Sequence, residues 1–115
     1  MTVGELNKRQ LRRETFLVGS DGIFLGLISS NTYAPDSISN PYGRYGSKYS
    51  SSSIWNPYGT YGSKYSSKSP FNQYSTTPPQ IYLYGKCVGF LTTNPYKANA
   101  LNPEKLDDWM RYYNL

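Results

Sequence analysis

Histidine is absent from this 115-residue chain, which removes the commonest general base and the commonest metal ligand together. His-dependent hydrolase triads are therefore excluded. The single cysteine, Cys87, cannot close an internal disulfide, and with no histidine to activate it, it reads as a buried, inert thiol in a strand. Long apolar runs are also missing: the longest, residues 23–28, is interrupted by Gly26 and is far shorter than the ~20 residues that span a bilayer. The opening MTVGELNKRQLRRETFLVG is basic but lacks the apolar stretch of a secretory signal, so a cytoplasmic protein without membrane contact is expected. Gly-x-Gly, Walker and Ser-x-x-Lys patterns do not occur, which excludes the common phosphate-cradling and Ser/Lys nucleophile templates. The carboxylates Glu104, Asp107 and Asp108 cluster where a helix is predicted to begin and are explained by its dipole. No enzymatic activity, cofactor or metal is expected.

Aliphatic mass is scarce. Leu, Ile, Val and Phe account for 22 of 115 residues, about 19%, a level at which many chains fail to fold. Yet aromatic residues reach 17%, thirteen of them tyrosine, and the net charge is only +5, whereas disordered chains are aromatic-poor and strongly charged. One domain over residues 1–115 is expected, with a core built partly of tyrosine. The fifteen Ser and nine Asn would satisfy buried phenol hydroxyls.

The predicted class is α+β with mostly short β elements. Thr2 and Glu5 have capping-box spacing, and Lys8, Arg9, Arg12 and Arg13 follow, which predicts a short basic helix within residues 1–15. Residues 16–36 hold a hairpin, Phe16–Val18 and Ile23–Ile28 around Gly19-Ser20-Asp21-Gly22. Residues 78–101 repeat the plan, with Ile81–Tyr84 and Cys87–Leu91 turning at Gly85. At a constant offset of 63 residues, Gly22 falls on Gly85, Gly26 on Gly89, Asn31 on Asn94 and Tyr33 on Tyr96. That match predicts two internally duplicated β-hairpins, paired edge to edge into a four-stranded antiparallel sheet. Residues 102–114 form a C-terminal amphipathic helix: Asn102 caps it, Pro103 opens it, and Leu106, Trp109, Met110 and Tyr113 share one face.

Between the hairpins, residues 37–77 repeat at a period of 16. Ser37-Ile38-Ser39-Asn40-Pro41-Tyr42-Gly43-Arg44-Tyr45-Gly46-Ser47-Lys48-Tyr49-Ser50 returns as Ser53-Ile54-Trp55-Asn56-Pro57-Tyr58-Gly59-Thr60-Tyr61-Gly62-Ser63-Lys64-Tyr65-Ser66, and a shortened copy follows at residues 69–75. Two glycines and a proline per copy exclude a helix, and Asn-Pro and Tyr-Gly are turn chemistry. An irregular but ordered, tyrosine-rich turn wrap is predicted, its rings stacked on the sheet. The doubled N-P-Y-G-x-Y-G-S-K-Y-S, with its flanking Phe24–Asn31 and Pro78–Ile81, resembles a family of small, tyrosine-rich bacterial proteins, over about residues 22–97. The resemblance implies a shared fold; many members carry export signals.

Two kinds of partner suit these residues. Tyr, Ser, Gly and Asn together make adaptable protein-binding surfaces, and a non-catalytic protein-binding module is the first expectation. Its contacts would be Tyr42, Arg44, Tyr45, Lys48, Trp55, Tyr58, Tyr61 and Lys64. The alternative partner is single-stranded nucleic acid, because residues 37–77 hold Arg44, Lys48, Lys64 and Lys68 without one acid, interleaved with rings on which bases could stack.

Overall fold

The computed structural model describes residues 1–115. Thr2 Oγ1 accepts from the Glu5 amide at 3.1 Å and starts helix α1, Val3–Leu11. The helix buries none of its residues, and Val3 and Leu11 remain exposed. The residues flanking it are tied to the two hairpin turns, which lie at opposite ends of the sheet: the Met1 ammonium donates to Gly22 O at 2.8 Å and the Gly85 amide donates to Glu14 O at 2.8 Å. The Arg9 guanidinium sits 3.7 Å above the Phe24 ring and pairs with Glu14 at 2.7 Å.

Strands β1 (Phe16–Val18) and β2 (Phe24–Leu27) form the first hairpin, and β3 (Gln80–Leu83) and β4 (Lys86–Leu91) the second. Positive φ at Tyr84 and Gly85, 50° and 85°, gives the second hairpin a two-residue turn of the primed type that matches strand twist. The hairpins join antiparallel through β1 and β3, with Leu17 opposite Ile81. The sheet is not purely antiparallel, however. A fifth strand, β5 (Ala100–Leu101), runs parallel to β4, giving the order β2-β1-β3-β4-β5. The chain leaving β4 doubles back through turns at Asn94 and so returns in the direction of its neighbour, where hairpin geometry alone would have left a bare edge. On the opposite side, Ser37 makes a parallel bridge to Leu27, with the Leu27 amide donating to Asp36 O at 2.7 Å; at β4 the Phe90 amide donates to Asn99 O at 3.0 Å.

The C-terminal segment starts as predicted, with Asn102 Oδ1 accepting from the Glu104 amide at 3.0 Å. One 3₁₀ turn over Pro103–Lys105 leads into helix α2, Leu106–Tyr112. Leu106 and Met110 enter the core, whereas Trp109 and Tyr113 pack at its margin.

The core departs from expectation. Its main cluster is Leu17, Leu25, Ile28, Ile38, Ile54, Ile81, Leu91, Leu106 and Met110, Phe16 and Val18 are buried beside it in β1, and no tyrosine is buried. Few aliphatics suffice because the sheet and the turn segment share them: Ile38 and Ile54, at one position in successive copies, are 1% and 0% exposed. Cys87 is also exposed, not buried, because the first half of β4, Lys86 to Val88, is uncovered on both faces. No helix is long and apolar enough to cross a membrane.

Candidate functional site

Residues 37–77 form a succession of turns in which an amide donates to the carbonyl three residues earlier. Asn40 donates to Ser37, Gly43 to Asn40, Ser50 to Ser47, Ser53 to Ser50 and Asn56 to Ser53, and the pattern continues to Ser75 and Asn72. Five three-residue steps and one extra residue, taken up where Ser47 and Ser63 each reach back four positions to Gly43 and Gly59, make the 16-residue period. Apart from the turns opened by Gly43 and Gly59, the first residue is Ser or Asn for a physical reason: its side-chain oxygen accepts the amide two residues on and closes a second, smaller ring. Ser53 Oγ accepts from Trp55, Asn56 Oδ1 from Tyr58 and Ser63 Oγ from Tyr65, at 3.0, 3.0 and 3.2 Å. The Asn amides also reach backward: Asn40 Nδ2 donates to Ala34 O, Asn56 Nδ2 to Ser50 O and Asn72 Nδ2 to Ser66 O. The chain passes so close to itself that a Cβ on Gly46 or Gly62 would overlap the carbonyl of Asn40 or Asn56.

This scaffold sorts the tyrosines into two sets. Tyr45 and Tyr61 turn inward and pack at the core's edge. Tyr45 meets the Phe24 ring edge-on at 5.1 Å, and the absence of a side chain at Gly26 makes the space it fills. Tyr61 donates its hydroxyl to Asp21 Oδ2 at 2.7 Å, and Lys68 Nζ lies 3.4 Å from the same oxygen. Burial of the Asp21 carboxyl opposes its ionisation, but hydrogen bonds from Tyr61 and the Ile23 amide, with the Lys68 charge, outweigh that and hold its pKa below the ordinary value. Burial, and then the Asp21 charge, push the Tyr61 hydroxyl up to about 12. Of the eight residues expected to contact a partner, these two are thus held in internal contacts.

The outward set is larger. Each of five Asn-x-Tyr turns, beginning at Asn31, Asn40, Asn56, Asn72 and Asn94, has the Tyr amide donating to Asn Oδ1. Their rings, Tyr33, Tyr42, Tyr58, Tyr74 and Tyr96, are between 81% and 96% exposed. Tyr49 and Tyr65, in the two Ser-Lys-Tyr turns, are both 82% exposed, with Lys48 Nζ and Lys64 Nζ 5.4 and 5.3 Å from their ring centres. Tyr42, Lys48, Tyr58 and Lys64, four of the eight residues expected to contact a partner, stand in solvent. Arg44 is exposed too, its Nε donating to Ser52 Oγ at 3.3 Å. Trp55 is half-buried: its Nε1 donates to Ile38 O at 2.7 Å and its ring leans on Phe71 at 5.9 Å. Tyr33, Tyr49, Tyr65, Tyr74 and Tyr96 were missed by the sequence reading. Their place two residues after a Ser or Asn turn-opener is the signal that could have found them.

Between consecutive copies lie clefts. Lys48, Tyr49, Asn56, Pro57 and Tyr58 line one of about 450 Å³. Shifted by one period, Lys64, Tyr65, Asn72, Gln73 and Tyr74 line another of about 650 Å³, closed at its far side by Phe71 and Thr93. A third, of about 690 Å³, is walled by Trp55, Tyr58, Tyr65 and Phe71. Rings, prolines and single cations on a rigid backbone can stack on, and pair charge with, a ligand. Comparison with protein-family models, curated proteins and solved structures found no match.

Proposed function

We propose that the protein is a non-catalytic binding module and that its partner is another protein, engaged by the exposed tyrosine face of residues 40–77. One observation carries this reading: in that stretch Tyr42, Tyr49, Tyr58, Tyr65 and Tyr74 stay at least 81% exposed, while the Ser and Asn groups around them are consumed in turns. Rings held outward on a pre-ordered backbone lose little entropy on docking, which is what aromatic anchors at interfaces require. The two hairpins are read here as an internal duplication that frames this face. Support comes from Gly22 and Gly85, 63 residues apart, with φ of 80° and 85°, and from the equally spaced amides of Leu27 and Phe90, which bond carbonyls at the same offset.

The test is retention of partners by immobilised protein, compared with a Tyr42→Ser/Tyr58→Ser/Tyr74→Ser variant. Retention that resists nuclease and is lost in an equally stable variant is expected; undiminished retention by the variant would overturn the reading. A second reading, single-stranded nucleic acid, is favoured by the acid-free stretch and by Lys48 and Lys64 poised over tyrosine rings. It would show itself as nuclease sensitivity and a steep fall in affinity between about 50 and 200 mM salt.

A further inference from the structure

We infer that Lys48, Tyr49 and Tyr58, and one repeat later Lys64, Tyr65 and Tyr74, form two equivalent subsites for one extended acidic peptide segment of the partner. The inference rests on the protein-binding reading and adds the chemistry of what is bound. Equivalence comes first: all five positions that line the first cleft recur one period later in the second, with Gln73 in place of Pro57 and with Phe71 and Thr93 added, so a ligand of repeating character meets the same Lys, Tyr, Asn and Tyr twice.

The next consideration is which groups remain free. The Asn56 and Asn72 side chains are fixed in the turns, each oxygen accepting from a Tyr amide and each nitrogen donating to a carbonyl. Ser47 and Ser63 accept from the Tyr49 and Tyr65 amides. Each cleft offers one ammonium and two phenol hydroxyls, and the second adds the Gln73 amide and the unpartnered Thr93 hydroxyl, a set rich in donors that calls for an acceptor-rich, negatively charged ligand. The flanking rings give flat apolar walls for proline or for the aliphatic stem of a glutamate.

Charge density selects the class of polymer. Lys68 is paired with Asp21, and Arg44 and Lys97 line neither cleft. That leaves one uncommitted cation per cleft. A nucleic-acid strand carries a charge at every nucleotide and is bound by dense cations, whereas carboxylates spaced along a peptide match single cations spaced along a repeat.

Binding of a fluorescein-labelled copolymer of glutamate and proline to the full chain, read by anisotropy, tests this, with a labelled oligothymidylate as comparator. Copolymer binding is expected, weakened roughly tenfold by Lys48→Ala or Lys64→Ala because either change removes one of two linked contacts. Tyr49→Ser and Tyr65→Ser, which leave the charge untouched, should weaken it comparably. Lys8→Ala, on the distant helix α1, should leave affinity within about twofold. No copolymer binding, an equal loss with Lys8→Ala, or tighter oligothymidylate binding with the same dependence on these residues would each overturn the inference. If the copolymer fails while the triple tyrosine variant still loses its partner, the acidic-peptide assignment falls and the protein-binding reading stands.

Discussion

Asp21 is where the turn segment is tied to the first hairpin, and its linkage to pH has two limbs. Its carboxyl titrates below the ordinary value of 3.8, so the stability it contributes is present above that range and lost as pH falls through the folded-state value. Tyr61 runs the other way. Its hydroxyl is raised from 10.0 to about 12, so its contribution is complete below about pH 10 and lost as pH climbs toward 12. Melting temperature followed against pH should form a plateau that drops at both ends. Tyr61→Phe should flatten most of the alkaline drop, leaving the part due to Tyr82, whose partly buried hydroxyl is also raised, and should cost about 1 kcal/mol at neutral pH. An alkaline limb unchanged in that variant would mean the Tyr61 to Asp21 bond contributes nothing.

Among the elements, the turn segment stands or falls on contacts that look minor in a sequence. Gly62→Ala places a methyl on the Asn56 carbonyl, and neither atom belongs to a flexible side chain that could swing aside. A loss above about 2 kcal/mol by denaturant unfolding is expected. Asn56→Ala deletes two hydrogen bonds, to Ser50 O and from the Tyr58 amide, and should cost about 2 kcal/mol with faster amide exchange at Tyr58. Helix α2 reverses the ranking its apolar face suggests. Leu106 is 2% exposed and packs among the core aliphatics, so Leu106→Ala should cost about 2–5 kcal/mol. Trp109 lies only partly buried, on the Tyr113 ring at 5.0 Å, and Trp109→Ala should cost less, a comparison that paired thermal melts decide.

For the molecule as a whole, the chain closes into a body of 33 × 30 × 30 Å with a Cα radius of gyration of 12.8 Å, close to that of a globular domain of this length. The buried aliphatic cluster holds it together, and the exposed rings of Tyr42, Tyr58 and Tyr74 pair with no other ring. The Tyr42, Tyr58 and Tyr74 triple serine variant should therefore melt within about 0.5 kcal/mol per site of the parent. A large drop in its melting temperature would mean those rings are structural after all.

Much of this was readable from residue order, because it depends on local chemistry. The Thr2 and Asn102 caps, the glycine at each hairpin turn, the Ser and Asn turn-openers and the exclusion of helix from residues 37–77 all follow from bonds that close within a few residues. The short α+β plan follows from them. Which rings point inward does not. Tyr42, Tyr45 and Tyr49 share a composition and a copy, yet only Tyr45 finds a space beside Gly26 and Phe24, partners about twenty residues away in sequence. The parallel fifth strand, the exposure of Cys87 and the capture of Tyr61 by Asp21 have the same origin. Each depends on which distant segment folds back against a side chain, and contacts of that reach exist only once the whole chain has closed.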